Sequence, residues 1–375
     1  MKALRGRIMR GLAWRWSEAN RHIGDVTGAV RYALQRVSGG LQVTKGHCAP
    51  GARMALYVIF PRDGLLDSHL LALRSLRASG YVPLVVSNLG LDAQARDALA
   101  PLVWQVIERP NFGYDFGGYR EGMRALRPYL GQMERLVLLN DSVWYPLTAD
   151  QDWPAQAEAL GADVVGAVSN YGVPFPESLS LDGFRWRYDT GLPEFHYCSF
   201  ALSFGPAALR HPVFRRFWRR LRLTNNKFHT VRRGEVALSR ALISAGLSHA
   251  ETFDTSGLGA RLGRLSQPEL HRMLGQLVIP EDPRLETMRQ RILSEPDGPG
   301  QRARLESAVL GIIALTGPAY ALPAYAHDVL GHPFLKKSPL RLARSAAEAT
   351  LDLTQRLPGE GGAIIHAEAR ALAGQ

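Results

Sequence analysis

The sequence predicts an α/β fold: a mostly parallel sheet flanked by helices, with helical extensions at both ends. Two observations point to it. From about residue 55 to residue 204, short apolar runs rich in β-formers alternate with segments of helical periodicity. That is the pattern of strand–helix units that assemble into a parallel sheet. Two of the runs also end in polar turns. Residues 102–107 lead into Arg109-Pro-Asn111-Phe-Gly113-Tyr-Asp115-Phe-Gly117-Gly118-Tyr119, and residues 136–139 lead into Asn140-Asp141-Ser142. In α/β sheets the ligand crevice lies at the carboxyl ends of the strands, so the two polar tips are read as one site.

Residues 1–50 form a basic amphipathic segment, with nine Lys or Arg against two acids. Leu4, Ile8, Leu12 and Trp16 recur at the spacing of one helix face, widened by Met9. No unbroken apolar run follows the charges, so a signal peptide is not expected. Two placements stay open: a helix on an anionic membrane surface with Trp14 and Trp16 at the interface, or a helix packed on the chain's own body.

The α/β domain is expected over residues 53–265. Strands are expected at 55–60, 82–87, 103–107, 136–139, 163–168 and 200–204, each short and rich in β-formers. Asp67 can cap a helix that turns Leu70, Leu73 and Leu76 inward and stops at Gly80. Further helices are expected at 93–100, 116–130 and 153–160, with another starting near Glu235. After Thr252 the alternation fades, so residues 266–375 read as a mostly helical C-terminal extension. Residues 308–326 carry no charge, but Gly311, Gly317, Pro318 and Pro323 interrupt them. A buried helix started by Pro from about Ala319 is expected there, not a membrane span.

Composition narrows the function. The 375 residues suffice for a sizeable core, and a hydrophobic content of 46% is ordinary for a soluble globular protein. Cys48 and Cys198 give no disulfide framework, which suits a reducing cytosol. A net charge of +11 predicts attraction to something anionic: nucleic acid, acidic lipid or a phosphorylated substrate. There is no Gly-x-x-x-x-Gly-Lys-Ser/Thr loop, no Gly-x-Ser-x-Gly elbow and no zinc-spaced Cys/His cluster. Arg215, Arg216, Arg219, Arg220 and Arg222 interleave with Phe214, Phe217 and Trp218. That run reads as an RNA-binding face, as an amphipathic helix with a solvated basic side, or as a helix lying near a lipid-linked, anionic acceptor.

The strand-end residues suggest chemistry on a phosphorylated ligand. Asp141 offers oxygen to Mg²⁺ or Mn²⁺, yet Asn140 and Ser142 stand where a second acid would complete an Asp-x-Asp pair. Asn140 and Ser142 can hydrogen-bond phosphate or sugar, or simply form a turn. Asp115 and Asn111 either contact a donor nucleotide or satisfy local backbone. Tyr114 and Tyr119 either stack on base or sugar or belong to the core. Gly113, Gly117 and Gly118 give backbone room to a bound ligand.

Five segments resemble the rhamnan synthesis protein F family. They are Asn111 to Tyr119, Leu138-Leu-Asn140-Asp141-Ser142-Val, Glu194-Phe-His196-Tyr-Cys-Ser199-Phe, Val231-Arg-Arg-Gly-Glu235-Val-Ala-Leu-Ser and His332-Pro-Phe-Leu-Lys336-Lys337. The family often has Gln where this chain has Cys198. The resemblance implies a nucleotide-diphosphosugar transferase-like (GT-A type) fold and a bacterial glycosyltransferase of surface polysaccharide synthesis. It implies a nucleotide-sugar donor such as dTDP-rhamnose and a polysaccharide or lipid-linked glycan acceptor, with no nucleic acid. The location implied is cytoplasmic, with the inner face of the cytoplasmic membrane as the surface the basic segment would take. Within it Glu235 is the candidate general base for the acceptor hydroxyl, the alternative being a structural pair with Arg232 or Arg233. His196 is a candidate acceptor contact or pyrophosphate partner, with Asp189 and Glu194 in reserve.

Overall fold

The computed structural model describes residues 28–374 except 29, 31, 35, 39, 171–180, 182, 280 and 281. The amphipathic face at Leu4, Ile8, Leu12 and Trp16 lies outside the described residues. Eight strands form the main sheet: β1 (Gln42–Lys45), β2 (Arg53–Ile59), β3 (Val82–Ser87), β4 (Gln105–Glu108), β5 (Arg135–Asn140), β7 (Val164–Gly166), β10 (Ala201–Phe204) and β11 (His249–Glu251). Short pairs make two side ribbons, β6 (Val143–Trp144) with β12 (Leu335–Lys336) and β8 (Ser169–Asn170) with β9 (His196–Tyr197).

The order across the main sheet is β1-β4-β3-β2-β5-β10-β7-β11. The run β4-β3-β2-β5 is parallel, while β1 and β10 pair antiparallel with their neighbours. The sheet is therefore mostly parallel and flanked by helices, as the alternation of apolar runs predicts. All six expected strands are present. The basic N-terminal segment also supplies β1, so the sheet starts at Gln42 rather than Arg53. Gln42-Val-Thr-Lys45 is mostly exposed, Val43 included, as befits a short polar strand at the sheet edge.

Helices cover both faces. The central strands are buried on both sides: every residue of β2 after Arg53 is buried. One apolar cluster joins Tyr57, Val85 and Val137 of the sheet to Leu270, Leu305, Val309 and Phe334. The C-terminal part is helical as expected, and it buries one face of the sheet instead of hanging from it. The uncharged stretch at 308–326 splits into the end of the Gln301–Thr316 helix and two short Pro-started helices, Pro318–Ala321 and Pro323–Asp328. Gly317 separates them with φ of 93°, a conformation that favours Gly. Among the described residues no helix is long and apolar enough to cross a membrane. A last cluster packs Trp144, Leu335, Leu353 and Ile365, fixing the C-terminal helices over the end of β5.

Candidate active site

The chain lays β3 and β4 on one side of β2 and then returns to lay β5 on the other. The carboxyl ends of β2 and β5 thus flank the point where the winding reverses, where α/β sheets bind ligands. Asp141 follows β5 there. Its Oδ2 accepts the Phe60 N–H at 2.6 Å, tying the two strand ends together. His69, 1% exposed on the Asp67–Ala78 helix, brings its Nε2 to 3.3 Å from the same oxygen. The alignment makes this a close polar approach rather than a full hydrogen bond. His69 Nδ1 accepts the Leu66 N–H at 3.1 Å, which leaves Nε2 as the protonated nitrogen facing Asp141. Burial alone would raise the Asp141 carboxyl. His69, the Lys337 ammonium and the Phe60 N–H outweigh it and hold the group below its ordinary value.

Asn140 is the hub of the polar network. Its Nδ2 donates to Asp115 Oδ2 at 3.1 Å and to the Tyr119 hydroxyl at 3.2 Å. Its Oδ1 accepts from the backbone and hydroxyl of Ser142, at 3.1 and 2.6 Å. Tyr119 in turn donates to the Ser199 carbonyl at 2.7 Å. The two polar tips read from sequence therefore do meet. Asp115 is half-buried. Burial first, then the nearby Asp141 and Glu235 charges, push its carboxyl up to about 7 against the opposing pull of Lys336.

The His196 segment closes the third side. Ser199 Oγ donates to Glu235 Oε1 at 2.6 Å, and His196 Nε2 sits 3.3 Å from Glu235 Oε2. His196 Nδ1 lies 2.7 Å from the Glu194 carbonyl. Both ring nitrogens thus face acceptors, which suits a doubly protonated ring. Burial would lower the His196 pKa, but Glu235 and Glu194 raise it above the ordinary value. Burial would raise Glu235, but His196, Ser199 and Lys336 lower it. Burial also pushes the Cys198 thiol up to about 12, so this residue stays a neutral wall.

Two expectations about Glu235 need correction. Arg232 pairs with Glu194, and Glu235 pairs with His196 and Ser199. Nor does Glu235 start a helix. Asn226 caps the Lys227–Val231 helix, which passes through a π-helical turn, Arg232–Val236, into the Ala237–Ser244 helix. A π-turn of this kind often accompanies a functional site. Gly234 fits it by allowing Phe116 to approach: an added Cβ would lie 2.5 Å from that ring.

The glycine turn also differs from expectation. The helix begins at Tyr114, so Gly117 and Gly118 are inside it. A Cβ on Gly117 would meet the Phe112 carbonyl oxygen at 2.0 Å, and one on Gly118 would meet Val58 at 2.6 Å. Their smallness lets the helix press against the sheet and hold Asp115 over the strand ends. Gly113, at φ of 83°, and Tyr114, at 50°, form the left-handed entry. Asn225 Oδ1 accepts the Gly113 N–H at 2.8 Å. Asn111 is exposed and takes no part in the Asn140 network. Gly117→Ala should destabilise the fold by about 1–3 kcal/mol, the usual cost of overpacking. Urea denaturation checks this; an unchanged midpoint would show that the helix has slack.

Sequence reading assigns no role to three contributors, although the resembling His332–Lys337 segment contains two of them. His69 is one. Lys336 and Lys337 are the others, brought by the His332-Pro-Phe-Leu segment. β12 pairs with β6 directly after Ser142, and the Lys337 N–H donates to the Ser142 carbonyl at 3.1 Å. Lys336 Nζ lies 4.4 Å from the Phe200 ring centre. Burial lowers Lys337 against the opposing pull of Asp141 and Glu368. Glu368, on the Gly359–Ala373 helix, is 4.0 Å from Lys337 Nζ and accepts the Trp144 indole N–H at 2.9 Å. The last helix thus braces the strand end.

Among the described residues no group of three His, Cys, Asp or Glu could hold a metal ion. Asp141 still fits the commoner phosphate-assisted mode, in which one or two carboxylates and the substrate's phosphates share a Mg²⁺ or Mn²⁺. Its Oδ1 is available for that, since the partners above engage Oδ2.

Known proteins resemble this chain at several levels. The uncharacterized protein y4gN of Sinorhizobium fredii is 31% identical over 223 residues, 59% of this chain. The match covers 54% of that relative, so the chain spans about half the length of the curated relative it matches. Among solved structures, the mannosyltransferase PcManGT from Pyrobaculum calidifontis, in complex with GDP-Man and Mn²⁺, is 14% identical with a TM-score of 0.32. That match covers 94% of this chain and 89% of the other. Core-mannan synthase A from Aspergillus fumigatus, in its Mn/GDP form, is 12% identical with a TM-score of 0.31, over 55% and 72% of the two chains. The rhamnan synthesis protein F family matches residues 84–277. This match takes in the Asn111–Tyr119 turn, the Asn140–Ser142 strand end and the Glu235 π-turn, and over half the chain's length it shows that the protein belongs to the rhamnan synthesis protein F family.

Proposed function

We propose that this chain is a glycosyltransferase. It moves a deoxyhexose, rhamnose from a dTDP-linked donor, to a cell-surface polysaccharide or its lipid-linked precursor at the cytoplasmic face of the membrane. The observation behind this reading is the meeting of Asp115, Asp141 and Glu235 with Lys336 and Lys337 where the sheet winding reverses. The family's description supports the rhamnose. The basic first 50 residues support a peripheral hold on an anionic membrane.

Transfer joins the acceptor oxygen to the anomeric carbon as the bond from that carbon to the diphosphate breaks. The bonding pair leaves with the diphosphate, and the acceptor proton must go to a base. Sequence reading gave that role to Glu235. Its two oxygens are engaged by Ser199 and His196, and it is held below its ordinary pKa. Asp115 has an oxygen beyond its Asn140 contact and a pKa near neutrality, so it is the better base at pH 7. Glu235 then orients His196 and Ser199 toward the acceptor or the diphosphate. Lys336 and Lys337 offset the charge that grows on the leaving diphosphate. A Mg²⁺ or Mn²⁺ held by Asp141 and the donor phosphates would supply further stabilisation of that charge.

A thermal-shift panel of nucleotide sugars, with and without Mg²⁺ or Mn²⁺, tests the reading. A ligand at 100 times its Kd adds about 2.7 kcal/mol of stability, so dTDP-rhamnose should raise the melting temperature by several degrees. No response to any nucleotide sugar would refute the transferase reading. Binding with neither donor hydrolysis nor transfer to any oligosaccharide or lipid-linked acceptor would leave a non-catalytic nucleotide-sugar or glycan-binding component of a polysaccharide assembly complex.

A further inference from the structure

On the outer side of the glycine turn lies a second site of different chemistry. It is a groove of about 530 Å³ into which Arg36, Arg120, Arg124, Arg219, Arg220 and Arg222 converge. They come from three parts of the chain: the segment before β1, the Tyr114–Leu126 helix, and the Pro212–Arg220 helix with the residues after it. Among the described residues the lining includes no acid. Glu121, buried behind the wall, binds Arg36 at 3.1 Å and also Arg124. Arg120 is left with a buried Nε that has no hydrogen-bond partner among the described residues. Burial first, then the neighbouring Arg124 and Arg36, pull Arg120 below its ordinary value against the opposing pull of Glu121. A fold does not gather like charges in a concave wall without cost, and guanidinium forks match phosphate oxygens two at a time.

The surroundings narrow the ligand. Val30, Leu34 and Val37 are 53, 65 and 84% exposed, and Val37 itself lines the groove. An apolar strip beside an arginine wall suits a ligand with a phosphate head and a hydrocarbon tail. The aromatic residues of the lining are spent on packing: Tyr32 and Phe112 are both buried. The groove therefore lacks the open stacking faces that single-stranded nucleic acid uses. The groove adjoins the glycine turn: Leu223 lines it and lies 3.0 Å from where a Gly113 Cβ would be.

We propose that this groove binds the diphosphate of a lipid-anchored acceptor, seating its head on the arginines and its tail along Val30, Leu34 and Val37. The proposal rests on the transferase reading above, and names the acceptor's diphosphate as the feature recognised. It assigns Arg219, Arg220 and Arg222 to phosphate binding rather than to a merely solvated face.

Co-sedimentation of the full chain with vesicles tests it. One set is phosphatidylcholine doped with farnesyl diphosphate; the other carries phosphatidylglycerol at matched negative charge. The wild type should bind the diphosphate vesicles at least about tenfold more tightly, and inorganic pyrophosphate should compete. R219Q/R222Q alters two exposed residues and should lose about tenfold or more of that binding, while its thermal shift with dTDP-rhamnose stays intact. Leu34→Asn should weaken vesicle binding and leave the affinity for inorganic pyrophosphate unchanged. Equal binding to the two vesicle sets, or unchanged binding by R219Q/R222Q, would overturn the proposal. A wild type that binds diphosphate vesicles but no nucleotide sugar would overturn the transferase reading and leave the groove standing.

Discussion

Asp141→Asn should lower sugar transfer by about 10²–10³-fold, the usual loss when one preorganised electrostatic contact is removed. Asn keeps the size of the side chain and can still accept the Phe60 N–H through its oxygen. It removes the charge that faces His69 and Lys337. Two consequences then separate. The partly buried Lys337 retains Glu368 as its acidic neighbour, at 4.0 Å, so the fold should survive with a lower melting temperature. The catalytic loss should exceed the loss of folded protein by far, because a Mg²⁺ or Mn²⁺ at the donor phosphates would lose the strand-end carboxylate. Turnover per folded molecule, with the folded fraction from calorimetry, is the measurement. Wild-type turnover in a destabilised D141N would reduce Asp141 to a brace between β2 and β5.

Asp141 was legible in the sequence for a simple reason. An apolar run that ends in Asn-Asp-Ser announces both a buried strand and the place where its polar end emerges. The same logic found all six expected strands, since fully buried parallel strands read as continuous apolar runs. It missed β1 and β11, whose edge positions bury less and so demand less from composition. His69 was hidden by its own helix. At the first turn of the Asp67–Ala78 helix it looks like one more polar residue, and only the approach of β5 gives it a partner. Lys336 and Lys337 are nearly 200 residues from Asp141, and no local pattern predicts that β12 will pair beside it. The helix expected to start near Glu235 in fact starts after the Asn226 cap, and Gly234 serves a π-turn within it. Gly117 and Gly118 misled in the opposite sense. A glycine-rich turn suggests space for a ligand, and here the space is taken by β2 and the Phe112 carbonyl.

The strongest discrimination between Asp115 and Glu235 comes from pH. Asp115 is pushed up to about 7 in the folded chain, mainly by burial, and a base must be deprotonated to act. With Asp115 as base, kcat/KM rises through neutral pH with an apparent pKa near 7 and falls about tenfold for each unit below it. Asp115→Asn should remove that step and lower turnover by about 10²–10⁴-fold, the usual weight of a general base. Stability should move the other way. A carboxyl whose folded pKa lies above its unfolded value binds its proton more tightly when folded, so stability falls as pH rises from about 4 toward 7. At pH 8 the wild type carries a charge that burial and Asp141 disfavour, and D115N does not. The variant should then melt at a higher temperature than the wild type at pH 8, with the two nearly equal at pH 4. Glu235→Gln should show the reverse. It removes the charge that His196 and Lys336 favour, so it should melt lower at neutral pH, while the step near 7 in kcat/KM persists. If E235Q, and not D115N, abolishes the step, the proton goes to Glu235 and the assignment of Asp115 fails.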